Sequence, residues 1–65
     1  MHTLDEIKVH IIHKDNVMVS YGLSSKEPIQ RIIDIVKQTH GNPIDSVFLQ
    51  ERGKPMMEVT IHYAI

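Results

Sequence analysis

Isoleucine and valine occupy every second position in two neighbouring segments, Ile7, Val9 and Ile11 followed by Val17 and Val19, and this spacing restricts the chain more than any other feature. Side chains of a strand alternate between faces, so residues 6–14 and 17–23 read as two half-buried strands. The residues between them must bring both apolar sets onto one face. A two-residue turn at Asp15-Asn16 sets Lys14 opposite Val17 and Ile12 opposite Val19, which mixes charge with core. A three-residue loop, Lys14-Asp15-Asn16, instead pairs Ile7 with Leu23, Val9 with Tyr21 and Ile11 with Val19. It also puts Asn16 at the left-handed position that asparagine tolerates.

The middle of the chain changes period. Ser24-Ser25-Lys26-Glu27-Pro28 reads as a helix start, with either serine as cap, Glu27 at the positive end and Pro28 in the first turn. Ile29, Ile32, Ile33 and Val36 then form one apolar stripe, while Gln30, Arg31, Asp34, Lys37 and Gln38 face water. Gly41 stops the helix and Asn42-Pro43 prevents its resumption. Residues 45–51 and 56–65 repeat the strand pattern around Arg52-Gly53-Lys54-Pro55, and pairing Val47 with Val59 and Leu49 with Met57 aligns their inward sets. A three-residue and a five-residue loop both keep that register.

Sixty-five residues support one core, so residues 1–65 read as a single domain. Ten Ile and six Val against three Leu and one Ala fit a chain dominated by strands. With no cysteine there is no disulfide framework, zinc ribbon or thiol nucleophile. Seven Lys plus Arg balance eight Asp plus Glu, so no long-range field draws the chain to nucleic acid. Met1 to Glu6 lack a signal peptide's charged and apolar regions, and no apolar run spans a membrane, so a cytoplasmic protein with no membrane contact is expected.

The order strand, strand, helix, strand, strand makes an α+β fold: a ββαββ chain whose four-stranded sheet carries one helix on one face. Central strands should be the most apolar ones, and residues 56–65 are the longest and most apolar, which favours the order 2-1-4-3. The alternative is 2-1-3-4, fully antiparallel. By element order alone the chain resembles the β-grasp fold of ubiquitin-like proteins and streptococcal immunoglobulin-binding domains. It lacks the Gly-Gly tail of the conjugated modifiers, ending Tyr63-Ala64-Ile65, so the resemblance implies an architecture without that chemistry.

One helix covers only one sheet face, and the other is expected to hold Ile12, Met18, Phe48 and Met56 with His10 and His62. Four large apolar groups on a solvated face suggest contact with a protein partner or a second copy of the chain in a homodimer. Strand 2 is a second candidate surface, because Val17 to Leu23 carry neither proline nor charge.

Five histidines raise the question of a metal. Only His10, Glu58 and His62 share a face, and only if strands 1 and 4 are neighbours; ordinary surface histidines account for the same residues, and no cofactor is expected. Lys8, Lys14, Arg52 and Lys54 are the phosphate contacts of an alternative, nucleic-acid-associated reading. The chain has no glycine-rich phosphate loop and no nucleophile motif, and His2 stands where small tautomerases carry their catalytic proline. The expectation is therefore a small non-catalytic module, protein-binding or regulatory and self-associating, acting through its open sheet face or an edge strand.

Overall fold

The computed structural model describes residues 6–65, so expectations for the preceding segment, His2 among them, lie outside the described residues. Strands β1 (Ile7–His13) and β2 (Met18–Leu23) form the hairpin with the three-residue loop. The His13 N–H donates to the Val17 carbonyl at 2.8 Å, the Asn16 N–H donates to the His13 carbonyl at 2.9 Å, and Asn16 has φ of 69°. Ile7 lies opposite Leu23, Val9 opposite Tyr21 and Ile11 opposite Val19. Matching the two apolar faces is enough to select the loop length.

Helix α1 (Ile29–His40) starts later than the serines suggest, and neither Ser24 nor Ser25 caps it. Residues 24–28 turn through a bond from the Ile29 N–H to the Lys26 carbonyl at 3.2 Å, and Pro28 takes the cap position. Proline has φ already set near the helical value and no N–H of its own to satisfy, and the Gln30 and Arg31 N–H groups that a serine would accept receive no side-chain cap. Gly41 closes the helix at φ of 87°, in the left-handed conformation that favours glycine.

Strand β3 (Ile44–Glu51) pairs with β1, and β4 (Met57–Glu58) pairs with β3. The sheet order is β2-β1-β3-β4, antiparallel throughout. This corrects the favoured 2-1-4-3 arrangement and is the alternative 2-1-3-4. With β1 and β4 apart, the β-grasp resemblance stops at the element order.

The last strand is much shorter than its apolar pattern suggests. Leu49 does face Met57, after a five-residue loop, but β4 holds only two residues. The Thr60 hydroxyl accepts the Val47 N–H at 3.0 Å, taking the place of a backbone carbonyl, and the chain turns into a 3₁₀ segment, Thr60–His62. The tail then returns to α1, where the Gln30 amide donates to the Ala64 carbonyl at 3.0 Å and accepts its N–H at 2.9 Å. Ile61 and Ile65, which give the last segment its central-strand appearance, are exposed, Ile61 at 92%.

The core lies between α1 and the two central strands. Ile7, Val9, Ile11, Ile44, Val47, Leu49 and Val59 pack on Ile29, Ile33 and Val36, with Val19, Leu23, Ile32 and Tyr63 at its margins. Ile44 is an addition. A register shift opposite Ile12 and His13 turns Ile44 inward, out of step with Val47 and Leu49. Val17, Tyr21 and Met57 have core parity yet are exposed, because one helix does not reach the outer strands.

Candidate interaction surfaces

On the open face the sheet assembles cross-strand rows. Met18, Ile12 and Ser46 form one, and Ser20, His10, Phe48 and Glu58 the next. Four of the six residues expected to form an interface, His10, Ile12, Met18 and Phe48, are therefore brought together. Met56 lies in the loop before β4 and His62 in the 3₁₀ segment, so neither extends the rows. Ile12 and Phe48 are half-buried by their strand neighbours, and His10 bonds to the Ser20 hydroxyl at 2.7 Å. Ile12 and Phe48 thus bury part of their area within this face, while Met18 stays exposed on it.

The order also parts the metal candidates. Phe48 stands between His10 and Glu58, about 10 Å apart at two strand spacings. Among the described residues no three His, Asp or Glu side chains come together as metal ligands. Lys8, Arg52 and Lys54 do share a shallow cavity of about 490 Å³, but Glu6 and Glu51 line it too. Glu51 lies 3.8 Å from Lys54 and 3.4 Å from Lys26. Lys14 sits at the other end of β1, about 20 Å from Lys8 at 3.3 Å per residue. The four basic residues do not make one surface.

Two histidines form a feature that the sequence alone does not reveal. His13 is fully buried, and its ring stacks on His40 with centroids 3.7 Å apart and planes 14° from parallel. Its Nδ1 donates to the Asn42 carbonyl at 3.0 Å, and Nε2 is left buried without a partner among the described residues, as is Nδ1 of His40. Around the stack the Asn42 amide donates to Asp15 at 2.7 Å and the Lys14 N–H to the Pro43 carbonyl at 2.9 Å. The available signal is the spacing, since His13 continues Ile7, Val9, Ile11 and His40 continues Ile29, Ile33, Val36.

Among the described residues, the β2 edge has outward backbone groups with no strand beside them. In an antiparallel ladder, residues alternate between bonding one neighbour and the other. The bond from His13 to Val17 assigns the odd-numbered residues of β2 to β1. The N–H and C=O groups of Met18, Ser20 and Gly22 consequently point away from the sheet. Val17 is 42% exposed, Met18 57% and Tyr21 39%. On α1, Gln30 and Lys37 flank the returning tail, and Ile35, 52% exposed, lies on the opposite flank of the helix.

No known protein family, curated protein or solved structure matches the chain.

Proposed function

We propose that this chain is a small protein-binding module that accepts a strand along β2. The observation that carries the reading is the coincidence, on one edge, of outward backbone groups at Met18, Ser20 and Gly22 with exposed Val17, Met18 and Tyr21. Backbone pairing supplies affinity in strand addition and the alternate side chains supply selectivity. Natural sheets protect such edges with charge, proline or a bulge, and β2 has none of these. The opposite edge is guarded: β4 is two residues long, Pro55 precedes it and the 3₁₀ segment follows.

Amide spectra of the ¹⁵N-labelled chain in buffer and in a clarified extract of its source cells test this reading. The expected result is that the amides of Met18, Ser20 and Gly22 shift or broaden first, and that a Met18→Pro variant, which lacks one outward N–H, loses the response. A response confined to Ile12 and Phe48 would move the function to the open face. One confined to Lys8, Arg52 and Lys54 and abolished by salt would move it to nucleic acid.

A further inference from the structure

Strand addition along β2 leaves the donor of the incoming strand open. Resting on that proposed function, we propose that the donor is β2 of a second copy of this chain, running antiparallel, with Ser20 opposite Ser20 of the second copy. Only residues whose backbone groups point outward can bond across the new ladder, and β2 offers Met18, Ser20 and Gly22. In this register Met18 faces Gly22 of the second copy, Ser20 faces its equivalent and Gly22 faces Met18, so every outward group on both edges is used. A slip of two residues strands one of the three. A slip of one sets outward groups against inward ones and puts the two helices on opposite faces.

The side chains agree with that register. Opposed residues share a face, so on the helix side Val17 meets Leu23 and Val19 meets Tyr21 of the second copy, pairings of the β-branched and aromatic kind that sheets favour. On the open side the long Met18 lies over Gly22, which leaves the space it needs. The axis is a two-fold perpendicular to the sheet, giving a closed contact with both helices on one face. Charge points the same way: Val17 to Leu23 are uncharged, so a charged strand would find no counter-charge there, and a net charge of −1 lets two copies approach.

The area sets the strength. Six residues of strand are about 20 Å long at 3.4 Å each. A sheet with one helix layer on it is about 20 Å deep, from the roughly 10 Å spacing of packed layers. The face they define is on the order of 400 Å² per copy, or about 800 Å² in total, below the roughly 1,200 Å² at which stable complexes begin. The dimer is therefore reversible.

The natural chain has no cysteine, so a single introduced one reports the register. Opposed hydrogen-bonded residues have Cα atoms about 5.5 Å apart, within disulfide range. In sedimentation equilibrium the wild-type mass is expected to rise from 7.5 kDa toward twice that value with concentration. Under mild oxidation Ser20→Cys should cross-link with itself. Met18→Cys and Gly22→Cys should each fail alone and cross-link when mixed. That mixture also covers the case in which Ser20→Cys, having lost its bond to His10, does not fold. A 7.5 kDa mass at millimolar concentration, equal cross-linking by all three single variants, or masses growing beyond the dimer would each overturn the proposal. If the chain stays monomeric while its Met18, Ser20 and Gly22 amides respond to extract, the edge still accepts a strand and only the second copy is ruled out.

Discussion

A buried polar atom without a partner costs on the order of 1–3 kcal/mol, and the His13–His40 stack contains two of them. The stack persists because the rings fill space and because the His13 Nδ1–H binds the Asn42 carbonyl where the β1–β2 turn meets the loop after α1. The two histidines therefore have unequal roles. His13→Ala empties a fully buried site and should cost about 3 kcal/mol in a denaturant titration. His40→Phe keeps a ring in the stack and removes an orphaned nitrogen, so its midpoint should match or exceed that of the wild type. A loss of more than about 1 kcal/mol in His40→Phe would show that His40 Nδ1 has a partner. Both positions are legible as core-side by spacing. What spacing does not carry is that two core-side positions from distant elements touch, since contact across the core depends on the helix's placement over the sheet.

Among the elements, the hairpin and the helix stripe are fully legible in the sequence, and β4 is not. The difference is the kind of force involved. Matching the apolar faces of β1 and β2 is a many-residue constraint, and a slip of one residue exposes all of it. The end of β4 is settled by one hydroxyl: Thr60 takes the Val47 N–H, and from there Ile61, His62 and Tyr63 cease to alternate. A threonine within a β-branched run gives no warning of this, because the same residue is a favourable strand former. The strand order misleads for the same reason, since the apolarity of Ile61 and Ile65 argues for a central place that the turn at Thr60 denies them. Thr60→Val keeps the shape and leaves the Val47 N–H unbonded, so it should lower stability by about 1–2 kcal/mol. An unchanged midpoint would mean that the ladder ends there for another reason.

At the scale of the whole molecule, one helix over a four-stranded sheet covers the central pair and leaves both outer strands partly bare. The chain resolves this differently on its two sides. On the β4 side the tail folds back and Gln30 clamps Ala64; on the β2 side nothing in the chain does the equivalent among the described residues. No helix in this structure is long and apolar enough to cross a membrane, so a bilayer-spanning helix does not account for the exposed apolar groups among the described residues. On the open face, where the sequence pattern places most of the interface, cross-strand packing half-buries Ile12 and Phe48. Among the described residues, the edge keeps its backbone groups unpaired and Val17, Met18 and Tyr21 exposed together. Amide hydrogen exchange along β2, followed at low and high protein concentration, tests this most directly. Val19, Tyr21 and Leu23 should be protected at both concentrations, because β1 holds their amides, while Met18, Ser20 and Gly22 should exchange freely when dilute and become protected when concentrated. Equal protection of all six residues in the dilute chain, or free exchange of Met18, Ser20 and Gly22 at every concentration with and without extract, would contradict the assignment of β2 as the edge that takes a strand.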